Sequence, residues 1–161
     1  MGKAITAKGI GVPDFIRELR TVIYSVASDK DSHFTDELAK NAVERENISG
    51  LRSNRVRISK VSIQADQRLL FEVLLYGSDD FEEADLDEDK FIASVELNLP
   101  TYGFQQTTGQ WKLDIPNLNI DYVDLDGTKK IHVVLRNLSP TTKNAGATGE
   151  VKLEFLCESR A

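Results

Sequence analysis

The chain has 161 residues, 40% of them hydrophobic and 29% charged, with a formal net charge of −6. That suits one domain with an arm and excludes a globally disordered chain. The single cysteine, Cys157, excludes an intramolecular disulfide and a Cys-based zinc site, and no run approaches the roughly 20 apolar residues of a membrane span.

Residues 1–12 are small, glycine-punctuated and slightly basic, and read as a flexible arm. They lack the apolar stretch of a secretory signal, so synthesis in the cytoplasm without export is expected. The triplets Asn47-Ile48-Ser49 and Asn137-Leu138-Ser139 are then chance matches to a glycosylation acceptor.

Residues 13–50 read as a helical segment. Pro13 suits the first turn of a helix, and Asp14 and Glu18 suit the positive end of its dipole. Phe15, Ile16, Leu19, Val22, Ile23 and Val26 follow at spacings of one, three and four, which predicts an amphipathic helix. Thr21 to Val26 is also β-branched and aromatic, the composition of a strand. Residues 28–35 form a polar loop. Thr35-Asp36-Glu37-Leu38 opens a second short helix running to Glu46, which Asn47 to Gly50 ends.

From residue 51 to 161 the period is two. Val56 and Ile58 alternate with charge, then Val61, Ile63 and Ala65 alternate in the opposite phase. The flip at Ser59-Lys60 predicts a bulge or bend. Further strands are read over Leu69–Leu75, Phe91–Leu99, Trp111–Ile115, Leu118–Tyr122, Ile131–Leu135 and Val151–Cys157. Asp126-Gly127 is a hairpin signal. Short strands separated by turn chemistry, with no room for crossover helices, predict an antiparallel β-sandwich, jelly-roll-like, of about seven or eight strands.

No catalytic constellation stands out, so an enzyme is not expected. There is no G-x-S-x-G, and the long loop from Ser139 to Gly149 lacks the lysine-Ser/Thr ending of a phosphate cradle. His33 lies in a polar loop and His132 alternates outward on its strand. Neither has a second ligand at metal-binding spacing. Cys157 falls on an apolar strand face and reads as a small core residue. Between Asp79 and Asp89 stand eight carboxylates in eleven residues. Asp85, Asp87 and Asp89 have the one-three-five spacing of a Ca2+ loop. Lys90 occupies the glycine position, however, and Glu96 at position twelve falls within a strand. A looser cation site is the alternative, and a solvated loop is the reading favoured.

Two surfaces remain. Arg52, Arg55, Arg57 and Lys60 form a basic run with no acid between Asn47 and Ala65. They read as the guarded face of an edge strand, or as a contact for phosphates or for a neighbour's acidic loop. Tyr102, Phe104 and Trp111 could stack on a sugar, cap the core or anchor an interface. The charge is divided: residues 1–60 carry net +3 and residues 61–161 net −9. An acidic body disfavours nucleic-acid binding and permits attraction between copies. The expectation is a self-assembling structural subunit of the kind that builds a virion shell. Its partners would be copies of itself and other shell proteins, and its interface would use Phe15, Leu19, Val22, Ile23, Val26, Arg52, Arg55 and Arg57. The alternative is a carbohydrate-binding module built on Tyr102, Phe104 and Trp111.

Overall fold

A computed structural model describes residues 21–28, 34, 36–80, 88–145 and 151–160. Twelve strands are described: β1 (Thr21–Ala27), β2 (Glu37–Leu38), β3 (Val43–Ser49), β4 (Arg55–Ala65), β5 (Leu70–Tyr76), β6 (Phe91–Asn98), β7 (Phe104–Gln105), β8 (Trp111–Ile115), β9 (Ile120–Val123), β10 (Lys130–Asn137), β11 (Lys143–Asn144) and β12 (Lys152–Arg160). One short helix, α1 (Leu99–Tyr102), follows β6. Its Asn98 side chain caps the amide of Thr101, and Gly103 closes it by donating to the Leu99 carbonyl. A Cβ at Gly103 would sit 2.7 Å from that carbonyl oxygen, so the position is reserved for glycine.

Every strand pair is antiparallel. One sheet runs β1-β12-β4-β8-β7, with β9 also pairing β4, and a second runs β3-β10-β5-β6. The two-residue strands β2 and β11 pair apart from both. The pairings are nested. The first long strand lies beside the last (β1 with β12), the second beside the last but one (β3 with β10), β4 beside β8 and β9, and β5 beside β6. The chain therefore behaves as one long hairpin that folds over on itself and alternates between sheets.

A shared core explains the doubling. Val26, Val56, Ile58, Val61, Ile63, Tyr122, Leu153, Phe155 and Cys157 come from the first sheet. Ile48, Phe71, Val73, Leu75, Val95, Leu97, Ile131, Val133 and Leu135 come from the second. All are buried in a single cluster. Neither sheet could bury its apolar face alone, so the two close on each other as a sandwich.

The phase flip of β4 is a bulge. Leu156 faces Lys60 and Cys157 faces Ile58, leaving Ser59 as the extra residue. On the other side of β4, β8 serves the half after the bulge and β9 the half before it. Pro116 and Asn117 interrupt these two strands where the bulge falls, and the Leu118 amide bonds the Ser59 carbonyl at 2.9 Å.

Three expectations are corrected. Residues 21–27 are a strand, not the end of an amphipathic helix: Val26 enters the core, whereas Ile23 is 63% exposed. Residues 13–20, with Phe15 and Leu19, lie outside the described residues, as do the arm and His33. The second helix is replaced by β2 and β3, because Glu44 is a buried strand residue whose carboxylate accepts the Asp36 amide at 3.0 Å. Asp126-Gly127 is a turn but not a hairpin, since β9 and β10 belong to different sheets. Thus, among the described residues, β1 and β3 are each an edge strand of one sheet.

Tyr122 ties the sheets together through polar chemistry. Its ring is buried from β9, and its hydroxyl reaches the opposite sheet. There it faces the carbonyls of Tyr76 (2.9 Å) and Lys130 (3.0 Å) and accepts the His132 amide (2.8 Å). Burial raises its pKa above the ordinary phenol value, so it remains a neutral donor. Tyr122→Phe keeps the ring but removes the hydroxyl that these backbone groups share. The expected loss is about 1–3 kcal/mol, read from the denaturant midpoint.

Candidate functional site

The densest polar constellation lies at one end of the sandwich, where β3, the segment after β5 and the turn between β9 and β10 converge on His132. The turn is organised by Asp124. Its carboxylate accepts the amides of Asp126 (3.0 Å), Thr128 (2.9 Å) and Lys130 (3.0 Å) and the Thr128 hydroxyl (2.7 Å). Asn54 braces the same turn: its carbonyl accepts the Asp124 amide, and its side chain accepts that of Lys129. Gly127 and Lys129 adopt positive φ there, which carries the chain from one sheet to the other.

His132 projects from β10 into this frame. Its Nε2 lies 2.8 Å from Asp124 Oδ1, and its Nδ1 lies 2.7 Å from Asn47 Oδ1. The Asn47 amide nitrogen donates to Asp79 Oδ2 at 2.8 Å, which fixes its oxygen toward the ring. Both ring nitrogens therefore face oxygen atoms. Asp126 completes the group. Its Oδ1 accepts the Ser78 hydroxyl (2.7 Å), and its Oδ2 accepts the Asp79 amide and lies 3.6 Å from His132 Nε2.

The electrostatics follow from these bonds. Burial works against the Asp124 charge, but the Lys130 amide, the His132 ring, Thr128 and the Asp126 amide outweigh it and hold the carboxyl well below the usual range. The Ser78 hydroxyl and the Asp79 amide lower Asp126 in the same direction, against its partial burial. The ligand atoms of Asp79, Asp126 and His132 lie within 4.8 Å of one another, a spacing that a cation could bridge. Each already holds a bond to another protein group. As it stands, the arrangement is a clamp joining three segments.

The expectation that His132 faces outward into solvent is corrected. The residue does sit opposite Ile131 and Val133, but the Asp124 turn and Asn47 cover it to 2% exposure. Sequence spacing gave no sign of this, because the partners come from two other segments, β3 and the Asp124 turn. The one local signal was the Asp124-x-Asp126-Gly127 turn. The Asn side chains of both glycosylation triplets are used internally: Asn47 binds His132 and Asp79, and the fully buried Asn137 donates to the carbonyls of Leu38 and Thr141.

The remaining candidates separate. Asp85 and Asp87 lie outside the described residues, whereas Asp89 falls in a short 3-10 turn, Glu88–Lys90. Glu96 lies within β6, where a loop ligand could not be. Arg55 and Arg57 do share a face, yet β4 is an inner strand, flanked by β12 on one side and by β8 and β9 on the other. The guarded-edge reading is therefore corrected. The two arginines are matched across the sheet, Arg55 with Asp121 and Arg57 with Glu158, each at 2.7 Å. Arg52 stacks its guanidinium over Tyr24, 4.8 Å from the ring centroid. Tyr102 and Phe104 are exposed, at 69% and 52%, whereas Trp111 is partly buried with the Arg68 guanidinium over its ring. Cys157 is fully buried, and burial pushes its thiol up to about 12.

No family model matches the chain, and no curated protein sequence is significantly similar to it. No helix among the described residues is long and apolar enough to cross a membrane.

Proposed function

We propose that this chain is a self-assembling structural subunit with a jelly-roll fold, of the kind that builds a virion shell. The observation that carries the reading is the nested order of its strands. Counting β8 and β9 as one interrupted strand and leaving aside β2, β7 and β11, eight long strands remain. They pair first with eighth, second with seventh, third with sixth and fourth with fifth, in two facing sheets. A long hairpin rolled up in this way supports the double Greek key of a jelly roll, an architecture used by viral capsid proteins as well as by lectins and cupins. The clamp at His132 supports a structural role, since its polar groups are spent on each other and on backbone amides.

Solution mass discriminates between these uses. Light scattering on the full chain is expected to give a discrete multiple of 18.0 kDa. A chain lacking residues 1–20, which keeps β1 intact, tests whether the arm contributes to assembly. A monomer of the full chain at every concentration would overturn the reading. It would favour the second one, a carbohydrate-binding module, for which the exposed rings of Tyr102 and Phe104 are the motivating observation. A glycan-binding screen of Tyr102→Ala against the parent would then decide that case.

A further inference from the structure

An exposed sheet edge presents unpaired amides and carbonyls, and proteins blunt such edges with charge, shortness, proline or bulges. Three edges of this sandwich are blunted. β3 carries Glu44, Arg45 and Glu46. β6 carries Glu96 and a register shift against β5. The far side of the first sheet is broken into β7, of two residues, and the short β8 and β9, which carry Lys112, Asp114 and Asp121. β1 is different. Its seven residues, Thr-Val-Ile-Tyr-Ser-Val-Ala, hold no charge, no proline and no glycine, and Ile23 near its centre is 63% exposed.

The direction of its free groups can be read from the ladder. Beyond its end, the Ser28 amide donates to the Leu153 carbonyl at 2.9 Å. Bonded and non-bonded pairs alternate along an antiparallel ladder, so Val26, Tyr24 and Val22 bond to β12. Thr21, Ile23, Ser25 and Ala27 turn their amides and carbonyls outward, where no described residue bonds them.

We propose that β1 pairs antiparallel with β1 of a second copy across a two-fold axis at Ile23. The first sheets of the two copies then join into one continuous sheet. The inference rests on the assembly reading and names its contact. A second copy is the occupant because an uncharged strand pairs with itself without opposing like charges. The same operation on β3 about its centre would set Glu46 against Glu46. With the axis at Ile23, Thr21 faces the partner's Ser25, and the two exposed isoleucines cover each other. Their Cα atoms are then about 5.5 Å apart, as in a bonded antiparallel pair.

Two variants of the full chain test this. Ile23→Lys sets two ammonium groups together at the axis and is expected to weaken self-association by at least about ten-fold, with an unchanged melting temperature at dilutions where the parent too is dissociated, because the side chain is exposed in the single copy. Ile23→Cys is expected to form a disulfide-linked dimer on mild oxidation, since that Cα separation lies within disulfide range. The parent chain is expected to form none, because Cys157 is buried. If the parent assembles, Ile23→Lys assembles equally well and Ile23→Cys does not cross-link, the edge proposal fails and the assembly reading stands. Dissociation of Ile23→Lys without cross-linking of Ile23→Cys would mean that a segment other than the second copy's β1 occupies the edge, and also overturns it. A parent chain that stays monomeric overturns both.

Discussion

Asp124→Ala is expected to destabilise the protein by about 3–5 kcal/mol, the cost of breaking a buried charge network by removing one member. The carboxylate accepts three backbone amides, one hydroxyl and the His132 ring, and its side chain is fully buried. Alanine removes the shared acceptor of all five donors at once, against a total stability of only about 5–15 kcal/mol for an ordinary domain. Asp124→Asn retains part of the turn and should cost less. His132→Ala in the Asp124→Ala background should add less than it does alone, because the two share one bond. Denaturant midpoints for the four proteins of that cycle measure the coupling directly.

The same carboxylate predicts an acid limit. Its folded pKa is lowered below the unfolded value of about 3.9, so it contributes stability that is fully present above that pH. The contribution is lost as pH falls through the folded pKa, and Asp126 acts in the same direction. Stability of the parent should therefore decline below about pH 4, and Asp124→Asn should flatten part of that decline. A parent and a variant with parallel acid profiles would show that the Asp124 charge is not what the turn depends on.

The outcome at each element follows from what a one-dimensional pattern can carry. The flip at Ser59-Lys60 was legible because a bulge changes the parity of every residue after it, from Val56 and Ile58 to Val61, Ile63 and Ala65. β1 was misread because Val22, Ile23 and Val26 fit helical spacing. In the sheet, Val26 is buried while Ile23 faces solvent on the opposite face. β3 was misread because its inward positions include Glu44, and a charge pointing inward breaks the alternation that marks a strand. For His132 the parity was right and the exposure wrong. What covers it is Asn47, 85 residues away in the chain, together with a turn whose geometry depends on both sheets. Tyr102 and Phe104 are exposed from α1 and β7, and the partial burial of Trp111 beside Arg68 depends on a contact that no local pattern contains.

Phe155→Ala carries the other large expected effect, again about 3–5 kcal/mol, for a physical reason opposite to that of Asp124. No polar bond is involved. Phe155 is fully buried on β12, with Val26 of β1 on one side and Val61 of β4 on the other. Removing the ring forfeits its transfer free energy and leaves a cavity that two continuous ladders prevent from collapsing. Phe155→Leu refills much of the volume and should cost distinctly less. The contrast with Ile23→Lys is informative, because both positions touch the β1 ladder. One should change the denaturant midpoint and leave the edge chemistry intact, while the other should change association and leave the midpoint of the dissociated chain alone. If Phe155→Ala instead cost under about 1 kcal/mol, β1 would not be seated on a packed core, and a strand so loosely held could not present a defined edge to a second copy.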